Sequence, residues 1–250
     1  MKGKKNLERA IILGLILSTG VYGSAWAEIN NPFFVRPDAG SYSDITIPES
    51  YLDKEINGST DGKGYAYGVL ITSEYEKDNK YNYKEINVDW KLDSLNIDIT
   101  KSAEGIENTS DNYYIAGIMT DGLNAEKTAN LILTTNEGID IKVKSENNYA
   151  AVGVWAQSDD SIKLNSKNGD VTVNVTKTAG SNLSYKDGGE EDRTLHAVYG
   201  LNASNDRNAA SYDPNDESCG SEINITTDNG SISVTAKNES KDLTGSHVYA

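Results

Sequence analysis

The feature that most constrains this chain is a short phrase that recurs with glycine at its fourth position. It reads YAYGVLI from Tyr65 to Ile71, YIAGIMT from Tyr114 to Thr120, AAVGVWA from Ala150 to Ala156 and AVYGLNA from Ala197 to Ala203. The glycines Gly68, Gly117, Gly153 and Gly200 stand 49, 36 and 47 residues apart, and each precedes an aliphatic residue: Val69, Ile118, Val154 or Leu201. A phrase kept at such spacing marks a repeat architecture, in which one unit cannot bury its apolar face alone and stacks on its neighbours. The last residues, HVYA from His247 to Ala250, echo HAVYG from His196 to Gly200. The echo places a fifth glycine at the position after Ala250 and predicts that the sequence is cut inside a repeat of a longer protein.

A second phrase follows each copy of the first: Glu85–Thr100, Asn130–Lys144, Ser161–Thr176 and Glu222–Ala236. It holds two runs of alternating apolar residues. The first run carries Ile86 and Val88, Leu131 and Leu133, Ile162 and Leu164, then Ile223 and Ile225. The second carries Leu95, Ile97 and Ile99; Ile139, Ile141 and Val143; Val171, Val173 and Val175; then Ile232, Val234 and Ala236. Period-two alternation puts one face inside and one outside, and a shared phase points to equivalent positions stacked on one another. Each unit therefore reads as three strands. Corners such as Asp228-Asn229-Gly230 separate the two alternating strands, and there two geometries compete. A tight hairpin would give antiparallel sheets and a sandwich. A solenoid corner would pair each strand with its counterpart in the next unit, and the fixed period favours this. The expected fold is all-β, a right-handed parallel β-helix over residues 65–250. Residues 28–64 lack the phrase and read as an N-terminal cap. The polar stretches Ala179–Thr194 and Ser204–Ser221 read as projecting loops.

Residues 1–27 read as a signal peptide: basic Lys2, Lys4, Lys5 and Arg9, an apolar stretch to about Tyr22, then Ala25-Trp26-Ala27 before Glu28, with cleavage between Ala27 and Glu28. The stretch is too short and too interrupted by Ser18, Gly20 and Gly23 to span a bilayer. The formal net charge of -15 repels phosphate backbones, which argues against nucleic acid as a partner. A lone cysteine, Cys219, leaves stability to packing and has no histidine suited to activate it.

The sequence offers no catalytic constellation, no cofactor site and no metal site. Asp98, Asp140, Asp170 and Asp228 lie near strands but at different places in the repeat, so they form no carboxylate ladder. Asp159-Asp160 reads as a turn rather than an acid pair. The acidic loop Asp187–Asp192 is the calcium candidate the sequence offers, but it has no EF-hand pattern. His196 and His247 occupy one repeat position and read as structural. Aromatic residues recur around the glycine phrase: Tyr113, Tyr114, Tyr149, Trp155 and Tyr199. Two readings compete for them: packing within the fold, or ligand contact, because an aromatic face stacks on sugar CH groups while polar neighbours bond hydroxyls.

Together, the leader, the acidic Asn/Ser/Thr-rich strands, the scarcity of cysteine and the glycine phrases resemble the passenger of a bacterial autotransporter (type V secretion). The resemblance implies export to the cell surface or beyond, through an outer-membrane barrel that would follow these residues. It implies contact with host or neighbouring-cell proteins or glycans. With no catalytic set in view, the expected function is that of an adhesin or surface scaffold. The rival expectation is a polysaccharide-degrading β-helix enzyme, a lyase or a glycoside hydrolase.

Overall fold

The computed structural model describes residues 29–30, 33–36, 44–47, 54–60, 66–78, 80–102, 114–123, 127–146, 150–178, 198–204, 220–239 and 248–249. Residues 1–27, read as a signal peptide, the Ala27–Glu28 junction expected for its cleavage, Cys219, His196, His247, the acidic segment Asp187–Asp192 and nearly all of the two long polar stretches lie outside the described residues. Among the described residues there is no helix, and all regular structure is β-strand.

The strands recur in passes. A short strand β1 (Ile29–Asn30) is followed by β2 (Phe33–Val35), β3 (Asp44–Ile47) and β4 (Lys54–Thr60). The second pass holds β5 (Ala66–Thr72), the strands β6 (Glu74–Lys77) and β7 (Lys80–Tyr83), then β8 (Ile86–Leu92) and β9 (Leu95–Lys101). The third holds β10 (Tyr114–Asp121), β11 (Ala129–Thr135) and β12 (Ile139–Ser145). The fourth holds β13 (Ala150–Gln157), β14 (Ser161–Ser166) and β15 (Val171–Lys177). The fifth holds β16 (Val198–Ser204), β17 (Glu222–Thr227) and β18 (Ile232–Asn238), and β19 (Val248–Tyr249) follows.

Each pass contributes one strand to each of three sheets, in the orders β2-β5-β10-β13-β16-β19, β3-β8-β11-β14-β17 and β4-β9-β12-β15-β18. All pairings within these runs are parallel. The two alternating strands of a phrase thus pair with their counterparts one pass away, not with each other. Among the described residues, antiparallel pairing occurs only where β1 meets β4 and in the β6–β7 hairpin, which the sequence reading did not distinguish. Within residues 28–64, read as a cap, β2, β3 and β4 each join one of the three sheets, with Phe33 opposite Val69 and Ile56 opposite Ile97.

Register follows the third sheet as expected, with Ile97, Ile141, Val173 and Val234 in one row. In the second sheet it differs by two residues in the first phrase. Val88, not Ile86, shares a row with Leu131, Ile162 and Ile223, and Trp90 shares one with Leu133, Leu164 and Ile225. The cause is corner length: only Asp93 and Ser94 separate β8 from β9, whereas residues 228–231 separate β17 from β18. A slip of two keeps every side chain on its face, so periodicity alone could not reveal it. At the other end, Val248 pairs with Val198 and Tyr249 with Tyr199. This register is one position off the echo, which set Gly200 against the position after Ala250.

The core lies between the sheets. Its rows of Ile, Leu and Val stack like on like, and Phe33 lies on Trp90 with ring centroids 3.9 Å apart. The corners after the second sheet are held by hydroxyls: Thr135 Oγ1 donates to the Glu137 carbonyl at 2.8 Å, and Thr227 Oγ1 to the Gly169 carbonyl at 2.9 Å.

Candidate functional site

The first sheet differs from the other two in that β5, β10 and most of β13 are covered on both faces, whereas β16 is partly exposed and β19 exposed. Along β5, every residue from Ala66 to Thr72 is buried. Ala66, Val69 and Ile71 belong to the main core, whereas Tyr67 and Leu70 belong to a second apolar cluster. Strict alternation would place Ala66 and Val69 on opposite faces. The same break recurs with Ile115 and Ile118, and with Ala151 and Val154. Glycine occupies the extra position each time. Neighbouring pairs such as Ala116 with Val152 and Ile118 with Val154 place the glycines in one row. A Cβ on Gly117 would lie 2.5 Å from Ile141 Cγ2 and 2.6 Å from the Gly153 carbonyl oxygen. The strand thus comes too close to the third sheet and to its own neighbour for any side chain. The kink resets the phase, so the residue before each glycine turns outward and the one after it inward, and the outward positions Tyr67 and Leu70 stand three residues apart.

The outer cluster holds Tyr67, Leu70, Ala116, Met119 and Val152, with Phe34, Tyr114, Trp155 and Tyr199 packed against it. Two rows build it. One row runs Tyr67, Ala116, Val152, Tyr199 and Tyr249; the other runs Phe34, Leu70, Met119, Trp155 and Asn202. Tyr67 meets Tyr114 edge-on at 5.6 Å, and their hydroxyls are hydrogen-bonded at 2.9 Å. Tyr114 meets Trp155 edge-on at 4.7 Å, and Trp155 Nε1 donates to Ser204 Oγ at 2.9 Å. Tyr199 and Tyr249 stack with planes 7° apart.

Of the aromatic residues singled out from sequence, Tyr114, Trp155 and Tyr199 share this face, while Tyr113 and Tyr149 lie outside the described residues. Sequence reasoning missed Tyr67, Phe34 and Tyr249. The available signal was position: Tyr67 and Tyr199 stand immediately before their glycines, where the phase reset turns them outward.

At one end of this face a cleft of about 180 Å³ opens. Phe34, Tyr67, Leu70 and Tyr114 form its apolar part, and Arg36, Thr72, Glu74 and Asp121 its polar part. Register brings these polar residues together, since Asp121 lies opposite Thr72, and Arg36 follows the Val35–Ile71 pair. Thr72 Oγ1 donates to the Asp121 carbonyl at 3.1 Å and accepts the Glu74 N–H at 3.2 Å, bracing the start of the hairpin. Burial, then the nearby Glu74 and Asp121 carboxylates and Tyr81, pushes the Tyr83 hydroxyl above its usual range.

The sequence acids form no ladder in the third sheet: Asp98 lies opposite Lys142, and Asp140 opposite Asn96 and Thr172. Asp170 accepts the Ser231 N–H at 2.8 Å, which holds its carboxyl below the ordinary range. Asp159 and Asp160 do mark a turn, with Ser158 and Asp159 at φ of 58° and 67°. Asp160 is wholly buried and accepts the Gly122 and Ala129 N–H groups at 2.8 Å each, while its own carbonyl accepts the Glu222 N–H at 2.9 Å. It ties three passes together. Burial pushes its carboxyl up to about 8, against the lowering effect of those N–H donors. Among the described residues, no group of three or more His, Cys, Asp or Glu side chains is placed to hold a metal, and no helix could cross a membrane.

Comparison with protein-family models, with curated proteins and with solved structures finds no match to this chain.

Proposed function

We propose that this chain is the exported passenger of a bacterial autotransporter, folded as a right-handed parallel β-helix and acting at the cell surface as an adhesin or interaction scaffold. The observation that carries the reading is the second apolar cluster on the outer side of the first sheet, where Phe34, Tyr114, Trp155 and Tyr199 remain partly accessible above buried Leu70, Ala116, Met119 and Val152. A repeat that only had to close its core would need one apolar face per strand, yet this sheet carries two. Right-handed crossover is the general rule for parallel strands joined within one sheet. The acidic composition keeps such a rod soluble and directs it away from anionic partners. The partners in this reading are surface proteins or glycans of other cells, and no cofactor takes part.

Surface display of the complete gene product tests this. Antibody should label intact, unpermeabilised bacteria, which should adhere to epithelial monolayers or matrix-coated plates. Trp155→Ala should reduce adherence while leaving surface labelling in place. Absence of surface labelling, or adherence no greater than that of a strain lacking the gene, would overturn the reading.

A second reading, a polysaccharide-degrading enzyme, draws on one observation: Glu74 and Asp121 line the same cleft. Glycoside hydrolysis uses paired carboxylates. Incubation of the purified protein with plant and host polysaccharides discriminates, because release of reducing or unsaturated ends would favour the enzyme.

A further inference from the structure

We infer that the cleft between Tyr67, Tyr114, Arg36, Glu74 and Asp121 is a binding site for a single neutral sugar ring. This rests on the reading of the outer face as a contact surface and names the ligand class that the cleft at its end takes. The cleft joins two kinds of lining. Its apolar part is aromatic and held in place: the Tyr67 and Tyr114 hydroxyls are bonded at 2.9 Å, and Trp155 braces Tyr114 from the next pass at 4.7 Å. An aromatic surface fixed before binding pays little ordering entropy and suits the CH face of a pyranose. Its polar part supplies both hydrogen-bonding senses. Glu74 and Asp121 are acceptors, and the Arg36 guanidinium is a donor. Sugar hydroxyls need both, since each donates once and accepts as well.

Charge selects among ligands. An ammonium group would gain from the two carboxylates but meet Arg36. A uronic or sialic acid would gain from Arg36 but face two carboxylates on a chain of net charge -15. A neutral ring can hydrogen-bond to all three side chains and brings no charge that either Arg36 or the carboxylates would oppose. Size argues the same way: about 180 Å³ is below the roughly 300–1,000 Å³ of pockets that take larger ligands, so the cleft holds one ring rather than a buried chain.

Ligand-observed NMR and calorimetry on the purified full chain test the inference. The probes are methyl glycosides of glucose, galactose and mannose, with sialyllactose as the anionic arm and choline as the cationic arm. At least one neutral glycoside should bind saturably and more tightly than either charged probe. Glu74→Gln and Asp121→Asn, both close in shape to the native side chains, should each weaken that binding about tenfold, the loss expected for a hydrogen bond to a charged group. Lys142→Gln, in the third sheet, should leave it unchanged. Tighter binding of a charged probe, no saturable binding of any neutral glycoside, or unaltered affinity in both cleft variants would overturn the inference. Adherence of bacteria displaying Glu74→Gln separates the two readings. Adherence without glycoside binding by the native chain leaves the scaffold standing and removes the sugar site. Glycoside binding without adherence leaves the sugar site and removes the adhesin.

Discussion

Gly117 has no room for a methyl group because its neighbours there include backbone. A Cβ would sit 2.6 Å from the Gly153 carbonyl oxygen, which cannot move without displacing the next strand. Gly117→Ala should therefore cost about 3 kcal/mol, at the upper end for overpacking, whereas Gly220→Ala, with nothing within 4 Å, should change stability by less than about 0.5 kcal/mol. Urea unfolding of the two variants checks the contrast. Buried charges at single positions give a second prediction. The Asp160 carboxyl rises from 3.8 to about 8, so between those values the folded state keeps a proton that the unfolded chain releases. Its contribution is fully present below about pH 4 and is lost as pH climbs towards about 8. Lys101 and Lys177, both fully buried, are lowered by burial from 10.5 to about 8 and about 7. There the unfolded state holds the extra proton, so stability rises from about pH 7 towards 10.5. Asp160→Asn should flatten the acidic slope and Lys177→Met the alkaline one, each by a few kcal/mol over its window at most. Unchanged pH–stability profiles in these variants would contradict the buried settings.

At the scale of the strand, alternation decides what each position tolerates. Val171 is fully buried and starts a row with Ile139 and Ile232, while Thr172 points the other way and is half-buried. Val171→Asp buries a carboxylate among aliphatic side chains and should cost several kcal/mol; Thr172→Asp should cost about 1 kcal/mol or less. Equal shifts in the urea midpoint would show that β15 does not hold this phase. The first sheet obeys a different rule. Its glycine kink makes a three-residue step between inward positions, so an outward residue such as Met119 is covered almost as fully as an inward one. A hydrophobicity pattern with period two cannot represent that step. This is why the phrase reads from sequence as a continuous apolar run without sides.

For the whole molecule, the governing fact is that every pass touches chiefly its neighbours, which makes stability close to a sum over passes and their interfaces. Tyr114 pairs with Ala150, and Ile115 with Ala151. Deleting residues 115–150 joins Tyr114 directly to Ala151 and removes one pass without changing the register of any row. The shortened protein should keep a β-type circular dichroism spectrum, a cooperative melt and resistance to protease. Deleting only residues 115–132 joins a first-sheet strand to Leu133 of the second sheet, and that product should be degraded. If both deletions behave alike, the passes are not interchangeable units. Charge acts at this scale too: a formal net charge of -15 disfavours association with other acidic surfaces.

Local chemistry determined much of this protein by itself. Alternation marked the inward face of the second and third sheets, glycine marked the tight row, and Asn-, Asp- and Gly-rich corners marked where strands end, because each depends on residues close in the chain. Three things depended on tertiary structure. Pairing between passes decided parallel over antiparallel, since an Asn-Gly corner is chemically compatible with either. Corner length decided the two-residue offset of Val88, since a slip of two leaves every face unchanged. Stacking across passes assembled the cleft. Arg36 and Glu74 are 38 residues apart, and Glu74 and Asp121 are 47 apart, so no local pattern connects them. They meet because parallel rows bring residues one repeat distant to adjacent strands, about 4.8 Å from one another.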